Sequence, residues 1–473
     1  MLIEAVIAAN RFGLGARPAE LKRIGSDARE WLAGQVKGLR PLPGAITGLP
    51  SSASVFGAYA QGRREQRNAR ESSASTSAST PPPQAALARV RDTVLPMYLG
   101  QVTARYEVAM RTEEPFRERL VHFWTNHFAV SADKAQVLAL AGTLENEAVR
   151  PNLSGRFVDL LLAVESHPAM ILYLDNQASI GPNSQLGAAA ARRAATTGRK
   201  RDINENLARE ILELHTLGVD GGYTQTDVTT FAKALTGWSV GGPAFGRGGP
   251  GGDPGKFVFH DAAHEPGSKV LLRKTYSQDG IAQPRAILTD LARHPSTATH
   301  IATKLVRHFV ADEPPAAAVE RIAKVFRDSD GDLPRVHRAF IDLPQVWEQP
   351  LTKFKTPHDF VISAFRMLDL TPPQGQQMLG AFQSLGQRPY TPGSPAGWPD
   401  KADQWDGPDA LLKRIEWATT LGERVGSRVN AAEAGAAALG EVMSERTRVA
   451  IARAASAAQA VTLLLASPEF QRR

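Results

Sequence analysis

The sequence predicts a mainly α-helical protein, a large helical domain with a short β-hairpin near residues 256–276. Two observations carry this. Apolar residues recur at helical spacing over most of the stretch from Gln84 to the end of the 473 residues. Only the segment KFVFHDAAHEPGSKVLLRKTY alternates as a strand does, with Phe257 and Phe259 on one face, EPGS as a turn and VLL after it. Hydrophobic residues at 42% and charged residues at 22% are globular values and supply ample material for a core.

In chain order, a first helix near 2–10 leads into RFGLGARP, a turn carrying Gly13, Gly15 and Pro18. Residues 1–62 read as an N-terminal helical segment, 63–83 as a flexible low-complexity linker ending in PPP, and 84–473 as the main helical domain. Helices are expected near 84–111, 114–130, 155–165, 203–217 and 225–237. Loops at 179–202 and 239–255, the second rich in glycine and proline, bracket the last two. They suit either lids or slack connections. After the hairpin, helices are expected near 281–293, 296–311, 315–328, 333–342, 356–368, 374–384, 408–424, 430–442 and 445–465. In DSDGDLP, Gly331-Asp332 reads as a turn and an N-cap; the twelve-residue pattern of a calcium loop is missing.

Composition removes several chemistries. With no cysteine, disulfides, thiolate zinc, iron–sulfur clusters, c-type haem and cysteine nucleophiles are excluded. A cofactor is unknown from sequence; a divalent metal held by His, Asp, Glu or amides remains open. The net charge of +7 comes partly from Arg63, Arg64, Arg67 and Arg70 and from Arg192, Arg193, Arg199, Lys200 and Arg201. These runs lie in low-complexity stretches without a nucleic-acid motif, so they read as solvated loops. The start, MLIEAVIAANRFGLG, has no basic n-region followed by a long apolar run, so no signal peptide is visible. No run of 18 apolar residues predicts a membrane span. The protease, hydrolase, P-loop and dinucleotide motifs are missing as well.

The densest polar set is INENLAREILELHTLGVDGGYTQTDVTTFAKALTGW, at 203–238. At about 100° per residue, Leu207, Ala208, Ile211, Leu212 and Leu214 form one apolar arc, with His215 inside it. Asn206, Glu210 and Glu213 share about 60° on one flank, whereas Glu205 and Arg209 form an i,i+4 pair on the other. Buried carboxylates must be paired, hydrogen-bonded or metal-bound. Glu210, Glu213 and Asn206 are therefore the catalytic candidates, against a plain reading as an ion-pair network tying helices together. His122 and His127 in VHFWTNHF sit about 140° apart on one helix, so they cannot chelate as an i,i+4 pair. His260 and Asp261, in HDAAHE, are dense in ligand types. These four are the metal-ligand candidates, with helix histidines packed beside aromatics as the plain alternative for the first two.

The 203–238 segment resembles the signature of the bacterial family known as domain of unknown function 1800. NRFGLGARP, ERLVHFWTNHFAVS, HPAMILYLDN, HPSTATHIATKLVRHFV, KFKTPHDFVISAFRML and GWPD match the same pattern in order, so the resemblance covers nearly the whole chain. Arg273 stands where related sequences carry glycine. The resemblance implies little about activity. Relatives often bear twin-arginine export signals and are encoded beside proteins of domain of unknown function 1501. Two function classes follow: an enzyme with a carboxylate/His metal site in a helical core, or a non-catalytic binding or assembly partner of a co-encoded domain of unknown function 1501 protein. The corresponding location is cytoplasmic, or co-exported with that partner.

Overall fold

The computed structural model describes residues 3–75, 83–197, 203–242, 251–348 and 351–473. It is mainly α-helical, and its helix starts follow local chemistry. Pro115, Pro295, Pro357 and Pro408 each open a helix, where a missing N–H costs nothing. Thr356 accepts from Asp359 N–H, and Thr224 forms a capping box with Asp227. Asp332 caps Leu333–Ile341 after Gly331 at φ 68°, the turn and cap expected from DSDGDLP.

One hydrophobic cluster runs from Ala5 to Phe470. Phe12 touches Phe116 and Phe340 at centroid distances of 5.4 Å and Phe309 at 6.0 Å. The first helices thus share a core with segments more than 300 residues away. Helix Ser52–Ser75 packs against Pro83–Arg111 and extends into the stretch read as linker; residues 76–82 lie outside the described ones. Helix Gln185–Thr197 occupies much of the first expected loop, and residues 198–202 and 243–250 of the two loops also lie outside the described residues.

The strands pair differently from the expectation. Phe257–Phe259 runs antiparallel to Trp238–Val240, not to the strand that follows it. The hairpin is tighter and later: Lys269–Leu271 pairs with Lys274–Tyr276. Its turn places Leu272 and Arg273 at φ 47° and 64°, so Arg273 takes a left-handed conformation that glycine adopts without strain. A further antiparallel bridge joins Phe354 to Arg472, with Lys353 and Arg473 exchanging backbone hydrogen bonds at 3.0 and 2.8 Å. Among the described residues, three helices contain a π turn, at Ala8–Phe12, Leu144–Val149 and Ile211–His215. Such turns re-aim side chains and recur at functional sites.

Candidate functional site

Helix Pro115–His127 divides its faces. Phe116, Leu120, Phe123, Trp124 and His127 are buried in the core, while Arg119, His122 and Asn126 border a cleft of about 80 Å³. Helix Pro83–Arg111 adds Arg105 to the cleft, Pro295–Phe309 adds His308 from its last turn, and Pro357–Met367 adds His358 and Asp359 from its first. The irregular segment 387–400 closes it with Gln387, Tyr390, Trp398 and Asp400. Asn126 fixes that segment: its Nδ2 donates to Trp398 O at 2.8 Å, and Trp398 N–H donates to its Oδ1 at 2.7 Å. Gly397 permits the approach. It has φ 83°, and a Cβ there would lie 2.3 Å from Asn126 O. Tyr390, at φ 55°, is anchored by its carbonyl, which accepts from Ala132 N–H at 2.7 Å.

His308 and Asp400 form a dyad, Nδ1 to Oδ1, at 2.8 Å. Burial favours a neutral Asp400, but His308, Lys353 and Arg473 outweigh it and hold the carboxyl at about 2. Burial pulls His308 down to about 4, against the pull of Asp400. At neutral pH the pair is therefore carboxylate and neutral imidazole. An ionised carboxylate can only accept, so the imidazole proton sits on Nδ1. This leaves a lone pair on Nε2, a buried atom without a partner. Asp359 receives Arg119 at 3.0 Å and Arg473 at 2.8 Å; these cations overcome its burial and keep it well below the usual carboxylate range.

A buried ion network joins the cleft through Arg105 and His122. Arg150 binds Glu118 through two 2.7 Å hydrogen bonds and Glu145 at 3.0 Å; Glu145, on the Leu144–Val149 π turn, also pairs with Arg105. His122 Nε2 lies 3.4 Å from Glu118, and burial lowers its pKa. Arg105 stacks on the Tyr390 ring, 4.8 Å from its centroid.

The signature helix lies elsewhere. Asn206, Glu210 and Glu213 do not border the cleft. Asn206 is exposed, and its N–H donates to Asn204 Oδ1 at 2.9 Å. Glu213 lies 3.5 Å from Arg209 on its own helix, and with burial it pushes the Tyr223 hydroxyl up to about 12. Burial raises the half-buried Glu210. The expected Glu205–Arg209 pair forms at 3.1 Å, and Glu205 also accepts from Gln225 at 2.8 Å and Thr229 at 2.6 Å. That network ties the two signature helices together. His215, at the end of the π turn, points inward and gives Nδ1 to Glu165 at 2.7 Å. Neither side chain has measurable exposure.

The four metal-ligand candidates are dispersed. His122 borders the cleft. His127 is in the core, its Nε2 3.2 Å from His215 O. His260 and Asp261 sit between strand Phe257–Phe259 and His264, where Asp261 borders a separate pocket with Asn183 and Asp279. Among the described residues, no three His, Asp or Glu side chains stand close enough to hold an ion. Sequence reasoning passed over His308, Asp359, Asp400, Arg105 and Tyr390 as site residues. The available signal was that VRHF, TPHDF and GWPD each belong to a stretch carrying the family resemblance.

The family model described as "Protein of unknown function (DUF1800)" matches residues 7–472, and the chain belongs to that family. No curated protein and no solved structure matches it.

Proposed function

We propose that this chain is an enzyme that transfers protons in the cleft, with His308 as general base and Asp400 as the group that orients it. The observation that carries this reading is the buried, unpartnered Nε2 of His308 on a residue of the cleft wall, opposite an Nδ1 fixed by Asp400. Asp400 selects the tautomer and stabilises the imidazolium once Nε2 has taken a proton, the division of labour found where a carboxylate backs a catalytic histidine. Burial keeps His308 neutral and ready to accept at neutral pH. Fixed charges around the cleft cost no reorganisation during the step.

Reaction of the folded protein with diethyl pyrocarbonate, followed by peptide mapping, tests the assignment without a known substrate. His308 is expected to be acylated ahead of the core histidines His127 and His215. Asp400→Asn is expected to slow that acylation, and His308→Asn, which retains a donor for Asp400, to abolish it. A folded protein whose His308 stays unmodified overturns the reading.

A metal-dependent form of the reaction keeps one supporting observation. A histidine held at Nδ1 by a carboxylate with Nε2 open is also how proteins present metal ligands, and His122 borders the same cleft. Stoichiometric divalent metal in the purified protein, lost on His308→Asn, would favour that form over the metal-free one. The non-catalytic alternative, assembly with a co-encoded domain of unknown function 1501 protein, draws on a different face. Leu411, Leu412 and Ile415 on helix Pro408–Val425 are 37%, 54% and 46% exposed. Co-purification lost on Leu412→Glu would support it.

A further inference from the structure

The residues around the cleft supply more hydrogen-bond donors than the protein uses. Tyr390 is buried, and its hydroxyl has no hydrogen-bond partner of good geometry. Its charged neighbours include Glu145 and Arg105, the second a guanidinium that can only donate. The Tyr390 hydroxyl proton meets no acceptor in hydrogen-bond geometry. Trp398 Nε1 is buried and unpartnered too, and an indole N–H can only donate. So is Arg105 Nε. All three donors belong to residues that line the cleft, as does His308, whose Nε2 can only accept. Unused buried donors are costly, and these three border a cavity that a ligand's oxygens can enter.

The charges agree with this division. Asp359 is matched by Arg119 and Arg473, and Asp400 is held by His308, with Lys353 donating to its backbone oxygen at 2.5 Å. The carboxylates near the cleft are thus engaged, while Arg105, already paired with Glu145, keeps Nε without a partner, and the two aromatic donors carry no charge of their own. At roughly 10–15 Å³ per water-sized site, a cavity of about 80 Å³ holds only a few non-hydrogen atoms.

We infer that the cleft binds a small hydroxy-carboxylate, its carboxylate oxygens taken by the Tyr390 hydroxyl, Trp398 Nε1–H and Arg105 Nε–H, and its hydroxyl proton directed at His308 Nε2. The inference rests on reading the cleft as the reaction site and supplies its substrate class. The carboxylate is the anchor, and the hydroxyl is the group that hydrogen-bonds to the base.

Calorimetric titration of the full chain with glycolate, the simplest compound carrying both groups, tests this, with acetate and inorganic phosphate as comparisons. Glycolate is expected to bind at one site, more tightly than acetate, with phosphate weak or silent. Tyr390→Phe and Trp398→Phe are each expected to weaken glycolate at least about tenfold, since hydrogen bonds to charged groups carry about 1.5–3 kcal/mol. Tyr390→Phe should melt no lower than the parent, because its hydroxyl proton serves no partner in the protein. Absence of glycolate binding overturns the inference, as does phosphate bound in preference to it. Binding unchanged in both variants also overturns it. Failure here leaves His308 acylation untouched, whereas glycolate binding without His308 acylation removes the catalytic reading and keeps the ligand site.

Discussion

His308–Asp400 and His215–Glu165 are built alike. In each, a histidine gives Nδ1 to a carboxylate, at 2.8 and 2.7 Å, and leaves Nε2 without a partner. They differ in access. The first borders a cleft, with its side chains 12% and 16% exposed; the second has no exposure, and the Phe128 ring lies 5.2 Å from His215. The same pair of side chains therefore serves two ends. Beside a cavity it leaves a lone pair next to space a ligand can enter, the feature on which the proposed base rests. Sealed in a core it pins the signature helix to helix Phe157–Glu165. A carboxylate-held histidine announces chemistry only when its free nitrogen can meet a ligand.

The largest expected effect breaks the sealed pair. Glu165→Ala leaves His215 buried without its carboxylate and should cost about 3–5 kcal/mol of stability, read by chemical denaturation. Asp400→Asn, which keeps an acceptor for His308, should cost far less and act on reactivity. Equal stability losses for the two would erase the distinction between them.

The second test is pH. Burial lowers His308 and His300 to about 4, and the unfolded value is near 6.5. Between those values the unfolded chain binds protons that the folded chain refuses. Stability should therefore be fully present above about pH 6.5 and decline as the pH falls towards 4. Melting temperatures at intervals from pH 7.5 to 4.5 should show this decline. His308→Asn should flatten part of it, and an unaltered curve in that variant would show that the open dyad does not titrate as described.

The smallest effect belongs to the surface pair Arg209–Glu213, 3.5 Å apart with side chains 36% and 27% exposed. Glu213→Gln should cost less than about 1 kcal/mol, the range of exposed ion pairs. A loss near that of Glu165→Ala would place Glu213 among the buried pairs.

Much of the fold was legible because its signals are local. Pro295, Pro357 and Asp332 announce helix starts within a turn of where they act. The strand partner of Phe257–Phe259 was not, since Trp238–Val240 precedes it across a glycine-rich stretch and nothing local names it. In the signature, arc geometry correctly paired Glu205 with Arg209 and set His215 on the inward face. It could not show that Glu165, fifty residues earlier, would meet His215. The cleft was hidden for the same reason: one dyad partner lies in a helix and the other in an irregular segment, and periodicity is silent about both.

The cleft also joins parts of the chain that start far apart. Asp400 meets His308 across 92 residues, Asp359 meets Arg119 across 240, and Trp398 meets Asn126 across 272. Contacts of that span carry a larger loop-closure entropy than local ones, so the cleft depends on the whole chain being folded. The cleft therefore exists only in the assembled fold: a chain with its helices formed but residues 387–400 undocked lacks it.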